Sequence, residues 1–419
     1  MSKFTEVLKD RNFFLLWLGQ IISQLGDRLD QMALIALVYL RAPGSTWEIA
    51  KILSFTIIPV FLIGPLAGAC VDRWDRRRTM YICDLLRSAL VLSIPLFLFY
   101  KEGYALIYLI VFVVFSIGRF FVPAKLSIVP DLVGKNDLLM ANSLVNTTGM
   151  IAAILGFGIS GIVVEWLGAR SGFYLDALSF LVSAALVFFI SKKVKASVSL
   201  WRVSKEIVEV FRKSVFQEIK EGARYFIRKK DLRFTAGIIF ILWSALGAVY
   251  VVGIVFVQKT LHSATKDLGL LIMFLGLGLF LGSLLYGRFG QKVSHYKAIF
   301  ISLSLSGLML VVFAVTIDHY PYFKIAALLA FMLGLLISPI MIASNTIIHQ
   351  SSDNGMMGKI FSSFEVLIHL GFLLSMFLSS ILAERMSHLS ILVAVGCFFS
   401  ALGILNLLSQ RKIPGLDKA

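Results

Sequence analysis

Charge is what this chain has little of. Asp, Glu, Lys and Arg make up 15% of its 419 residues, against about 25% in an average soluble domain. Hydrophobic residues make up 58%, and 35 residues are Phe. A chain this apolar and this long cannot hold its surface in water, so its solvent is largely lipid. Cysteine is scarce as well. Cys70, Cys83 and Cys397 lie in or beside apolar segments. They show no pairing pattern and no zinc spacing, so neither a disulfide frame nor a zinc site is supported. The six histidines (262, 295, 319, 349, 369 and 388) are scattered and form no metal-ligand spacing. No Gly-x-x-x-x-Gly-Lys-Ser/Thr phosphate loop is present. The expectation is no metal, no cofactor and no enzymatic centre.

Acidic residues are the scarcer charge, 24 against 40 basic, for a net charge of +16. Such an excess points either to nucleic acid or to the basic cytoplasmic loops of a membrane protein. Position decides between them. Twelve apolar segments are each long enough to span a bilayer: 13–40, 49–71, 79–100, 104–129, 138–166, 172–191, 232–259, 267–287, 297–317, 321–348, 359–383 and 389–409. With the N-terminus inside, 28 Lys and Arg fall on the inner side and eight on the outer; four more, Arg28, Arg87, Arg119 and Lys125, fall within spans. That ratio predicts a multi-pass protein of the plasma (inner) membrane, both termini cytoplasmic, and accounts for the basicity without nucleic acid. The first apolar run has no obvious cleavage site and reads as a retained span.

The one long polar interruption, 192–231, divides the spans six and six. The expected domains are therefore a six-helix bundle over 1–191, a basic amphipathic cytoplasmic linker over 192–231, and a second six-helix bundle over 232–419. In the linker Leu200, Val203, Ile207, Phe211, Val215, Ile219 and Phe226 recur near helical spacing. A helix on the inner membrane surface and a connector packed beneath the bundle both fit that pattern.

The halves carry an internal repeat. Gly64-x-x-x-Gly68 is followed by Asp72-Arg73-Trp74-Asp75-Arg76-Arg77, and Gly278-x-x-x-Gly282 by Gly287-Arg288-Phe289-Gly290-Gln291-Lys292. Glycines four apart let two helices approach closely. Duplicated six-span halves are how many secondary transporters are built, with substrate near the midplane between them. The predicted fold is all-α and polytopic: twelve transmembrane helices in two pseudo-symmetric six-helix bundles.

Gly68-x-x-x-Asp72-Arg73-x-x-Arg76-Arg77 resembles the loop signature of the major facilitator superfamily between the second and third spans, with Asp75 where a glycine is usual. Across the chain, "NFFLLWLGQIISQLGDRLDQMAL" (12–34), "PAKLSIVPDLV" (123–133), "YLDALSFLVSAAL" (174–186), "EGARYFIRKKDLRF" (221–234) and "GKIFSSFEVL" (358–367) resemble its efflux branch of macrolide and siderophore exporters. "PAK" with "ANSLVNTTGMIAAILG" (141–156) also resembles the lysophospholipid transporters of that superfamily. The resemblance implies that the charged loop is a cytoplasmic gate latch, with Asp72 against the N-terminus of the eleventh span near Gly358. The other reading is that its arginines only fix topology. Exporters of this superfamily usually carry Gly-Pro-x-x-x-Gly in span five; here Phe157 stands in place of the proline within Gly156-Phe157-Gly158-Ile159-Ser160-Gly161.

Ionisable residues inside spans are functional candidates by default. Asp27 and Asp30 share a face of span one, Asp27 about 22 Å from its start. A proton-coupled carrier needs a carboxylate whose protonation changes with the side it faces, and this pair supplies one. The alternative is that Arg28 and outer water neutralise them. Arg119 in span four calls for an acid or an anionic substrate group; Lys125 is expected to snorkel. Glu365 and His369, four apart in span eleven, offer a second proton site, a substrate contact or a local hydrogen-bonded pair. Asp84 and Arg87, three apart, read as a structural pair, and Asp176 as a cap or interhelical bond. Gln20, Gln24, Asn142, Asn146 and Asn345 are path-lining candidates that serve equally as interhelical glue.

The expected function is secondary export of a hydrophobic or amphipathic small molecule (a drug, macrolide or siderophore-like compound) by alternating access in exchange for protons or Na+. A lysophospholipid flippase of the same fold is the alternative. The expected working unit is a monomer in membrane lipid.

Overall fold

The computed structural model describes residues 7–71, 74–97, 104–134, 136–191, 230–290, 293–351 and 357–410. Asp72, Arg73 and the linker over 192–229 lie outside them. Among the described residues the chain is helical, as lipid requires: a backbone in hydrocarbon must satisfy its own hydrogen bonds. The elements are α1 (Arg11–Arg41), α2 (Thr46–Leu62), α3 (Gly64–Val71), α4 (Arg76–Phe97), α5 (Tyr104–Leu132), α6 (Leu138–Leu167) and α7 (Ala169–Phe188), then α8 (Lys230–Leu261), α9 (Lys266–Phe289), α10 (His295–His319), α11 (Phe323–Ser351), α12 (Met357–Leu382) and α13 (His388–Gln410).

The ten helices α4 to α13 are long and apolar enough to cross a membrane. The other two spans are built differently. Helix α1 has the length, 31 residues, but Asp27, Arg28 and Asp30 interrupt its apolar run. The second span, 49–71 by sequence, is two helices broken at Ile63. Pro65 has no N–H for the carbonyl of Phe61, so the ladder loses a bond at that point.

The contacts divide the chain into two compact units. The first holds α1 to Leu37 and the spans from Lys51 through α7; the second takes in Val38–Ala50 together with α8–α13. In the first, α4 packs on α5 and α7, and α3 on α5; in the second, α10 packs on α11 and α13, and α9 on α11. The same order of neighbours in each unit is the structural form of the repeat. In the second unit Thr46 donates to the Ser380 carbonyl at 3.3 Å, and Trp47 meets the edge of Phe377 with ring centroids 5.5 Å apart.

Glycine sets how closely these helices approach. A Cβ at Gly26 of α1 would lie 2.8 Å from the Ser179 Cβ of α7, and one at Gly172 of α7 would lie 2.9 Å from Ala33. Gly278 of α9 abuts the backbone of Phe331 and Leu335, and Gly334 of α11 that of Leu275 and Leu279. The first copy of the repeat differs: a Cβ at Gly64 or Gly68 would meet nothing within 4 Å among the described residues. Close helix approach, expected for both copies, holds only for the second. Gly168 is the whole connection between α6 and α7, at φ +84°, a conformation open mainly to glycine.

Candidate functional site

Helices α1, α4, α5 and α6 of the first unit surround a cavity of about 490 Å3. Gln20, Gln24, Asp27 and Gln31 recur at intervals of three and four, so one face of α1 forms a polar wall. Helix α4 contributes Arg87; α5 contributes Arg119 and Lys125; α6 contributes Asn146. Phe115, Val122 and Met150 supply apolar surface.

Arg87 is the hub. It donates to the Asp27 carboxylate, lies 3.7 Å from Asp84 Oδ1, and sits 3.8 Å over the Phe180 ring, a favourable place for a desolvated cation. Gly118 of α5 packs beside it, where a Cβ would lie in ordinary contact, 3.7 Å from the guanidinium carbon. Asp84 also accepts from Ser183 Oγ at 2.6 Å. Behind the pair, Asp30 and Asp176 are buried. Ser179 Oγ lies 3.3 Å from Asp176 Oδ1, whereas Asp30 Oδ1 and Asp176 Oδ2 have no hydrogen-bond donor. Two carboxylates, Asp27 and Asp84, thus meet one guanidinium, and two more, Asp30 and Asp176, are buried behind them. Of the four, only Asp27 lines the cavity, with 28% of its side chain exposed.

Gln20, Gln24, Arg119, Lys125 and Asn146 line the cavity. Arg28 does not neutralise Asp27: it donates to Gln31 Oε1 at 2.8 Å and lies 4.8 Å over the Phe157 ring. Phe157, standing where the resemblance expects proline, is thus the platform under Arg28. Gly156 leaves space for the Arg28 stem, whose Cγ would be 2.9 Å from a Cβ at that site. Asn142 is not among the lining residues.

Asn345 lies on α11 in the second unit, exposed. Glu365 and His369 are on α12 there. His369 Nδ1 is 2.8 Å from the Glu365 carbonyl and 3.4 Å from its carboxylate, and Glu365 is 58% exposed. The His369 ring stands 5.8 Å from Trp243. Neither residue lines the second unit's largely apolar cleft of about 820 Å3 between α8, α12 and α13.

Of the loop signature, Gly68 is described in α3 and Arg76 and Arg77 begin α4. Arg76 bonds the Ser127 carbonyl at 2.8 Å and Asp131 at 2.6 Å on α5. Arg77 donates to the Phe188 carbonyl at the end of α7. Asp75 caps α4, its carboxylate accepting the Arg78 N–H at 2.8 Å. The aspartate that replaces the usual glycine therefore starts the third span.

The spacing within α4 pairs Arg87 with Asp84 but carries no sign of Asp27, its closer partner. A spacing of three reveals a local pair; no local spacing reveals one formed across 60 residues. The available signal was the excess of intramembrane acids over local cations in α1, α4 and α7.

A family model described as a transmembrane secretion effector, of the major facilitator type, matches residues 2–417. The uncharacterized MFS-type transporter YkuC of Bacillus subtilis (strain 168) is 26% identical over 350 residues, 81% of this chain and 77% of that protein. The putative bacilysin exporter BacE of the same organism is 25% identical over 401 residues, 93% of each chain. The multidrug efflux pump Tap of Mycobacterium bovis (strain BCG / Pasteur 1173P2) is 24% identical over 354 residues, 83% and 81% of the two chains. Among solved structures, a bacterial homologue of the iron transporter ferroportin in an inward-facing state matches with TM-score 0.72 and 13% identity, over 94% of this chain and 98% of that one. The nucleoside transporter NupG matches at TM-score 0.71 and 12% identity, over 97% and 99%. At such identities the structures speak for the fold alone.

Proposed function

We propose that this chain, which belongs to the transmembrane secretion effector family of the major facilitator superfamily, exports a small amphipathic molecule in exchange for protons, by alternating access. Membership makes it a transporter and not an enzyme. Export is supported by similarity to the putative bacilysin exporter BacE and the multidrug efflux pump Tap.

Proton exchange is supported by one observation: the Asp27–Arg87 pair stands on the wall of a polar cavity, backed by three buried carboxylates. A proton enters at Asp27, since that carboxylate alone among the four lines the cavity. Protonation removes the charge that holds Arg87, whose other carboxylate neighbour is Asp84. A guanidinium with two alternative carboxylates is a two-state element, which an exchanger needs in order to link proton and substrate. In this reading both termini are cytoplasmic, the domains are 1–191 and 232–419, and a monomer suffices.

The test uses purified protein in liposomes with a lumenal pH dye. Substrate-driven proton movement in the parent, lost in Asp27→Asn with substrate exchange retained, is the expected result. Coupling that survives Asp27→Asn would overturn the assignment of Asp27. Coupling that follows sodium would replace the proton.

A further inference from the structure

We infer that the molecule carried through the first unit's cavity bears an anionic group, a carboxylate or a phosphate, recognised by Lys125 of α5 and Arg28 of α1. The inference rests on the exporter reading above and names its substrate class.

The cavity wall is cationic. Arg28, Arg87, Arg119 and Lys125 all line it, and Asp27 is the single carboxylate among the lining residues. Asp27 is engaged by Arg87, and Asp84 stands behind the same guanidinium. The close carboxylate contacts of this region thus go to Arg87, and Asp27 reaches Lys125 only through longer-range attraction. Lys125 makes no ion pair among the described residues. Arg28 spends its hydrogen bond on the neutral amide of Gln31, and its planar face lies over Phe157. Neither of these two cations has a carboxylate within ion-pair distance among the described residues.

A charge withdrawn from water without a partner is costly, and the cost falls when a ligand supplies the opposite charge. Guanidinium and ammonium groups bind carboxylate and phosphate through charge-assisted hydrogen bonds, the strong class. Phe115, Val122 and Met150 on the same wall offer an apolar body its place. A volume of about 490 Å3 lies within the roughly 300–1,000 Å3 typical of small-molecule sites. A cationic amphipath would instead meet like charge on α1, α4 and α5.

Four radiolabelled probes test this by exchange across proteoliposomes, with protein-free vesicles as the blank: naphthylacetyl-glycine, its methyl ester, a naphthylmethyl-trimethylammonium salt and lysophosphatidylglycerol. The expected result is exchange of the free acid, not of the ester or the ammonium. Exchange should fall about tenfold or more in Lys125→Gln and Arg28→Gln, and recover in Lys125→Arg. Competition by lysophosphatidylglycerol would identify the anion as a lipid phosphate; its absence, with the free acid exchanged, would identify a soluble carboxylate.

Failure of both anions, or equal exchange in Lys125→Gln, overturns the inference. Exchange of the ester or ammonium in the same vesicles would then leave the exporter reading standing. Silence from all four probes would remove both. Thermal unfolding of each variant checks that it is folded.

Discussion

Arg87 of α4 and Asp27 of α1 form an ion pair on the cavity wall of the first unit, 60 residues apart in the chain. The arginine side chain is 7% exposed and the aspartate 28%. That asymmetry predicts unequal consequences for their removal. Arg87→Ala leaves Asp27 and Asp84 facing each other without a cation, and breaking a buried pair in this way costs about 3–5 kcal/mol. Asp27→Asn keeps the shape and a hydrogen-bonding group at the more exposed end, so it should cost distinctly less. Thermal unfolding in one detergent compares them. Equal losses would mean that Asp27 is as structural as Arg87.

The glycines of the two repeat copies should answer oppositely to the same substitution. Gly278→Ala drives a Cβ against the backbone of Phe331 and Leu335, and overpacking of this kind costs about 1–3 kcal/mol. Gly68→Ala meets nothing within 4 Å among the described residues and gains helix propensity worth up to about 1 kcal/mol. The midpoint of unfolding should fall in the first and hold or rise in the second. A fall in both would show that α3 is covered by a surface that the described contacts do not include.

Asp75→Ala should cost about 1 kcal/mol, the ordinary loss for an N-cap, because the Arg78 N–H loses its acceptor. Asp75→Gly, which restores the residue usual in the superfamily, should cost only a few tenths. Comparing the two by unfolding separates capping from any need for the carboxylate itself. A large loss in Asp75→Gly would point to a role beyond the cap.

Arg76 and Asp131 join α4 to α5 through a 2.6 Å ion pair at 30% and 37% exposure. A double-mutant cycle with Arg76→Gln and Asp131→Asn should return a coupling of roughly 0.2–1 kcal/mol that shrinks in high salt. A coupling several times larger and indifferent to salt would mean that the pair is shielded from water.

Much of this architecture was legible in the chain. Apolar runs of about 20 residues can do little in water but can cross lipid, so the spans followed from hydropathy alone. Each described helix overlaps its expected segment, with ends shifted by a few residues. The repeat was visible because glycine and charge recur at fixed offsets, and it reappears as a common order of helix neighbours. The break at Ile63 was not marked, because hydropathy continues through Pro59 and Pro65 and a missing backbone hydrogen bond leaves no trace in it.

The site was legible only in part. Intramembrane charge marked Asp27, Asp30, Arg119, Asp84 and Arg87 as costly residues needing partners. It did not say which would meet. Glu365 and His369 met at spacing four, since that contact is local to one helix.

By itself, the sequence determined the solvent, the number of spans, the duplication and the residues whose burial demands compensation, all of which depend on composition and on periodicity along single helices. Only the tertiary structure decided that Asp27 belongs to Arg87, that Arg28 rests on Phe157, and that Lys125 faces the cavity. The physical reason is that one helix fixes neighbours three and four residues away. The face it turns to another helix is set by packing between them, here by glycines such as Gly26 that let α1 close against α7 and carry Asp27 to the arginine of α4.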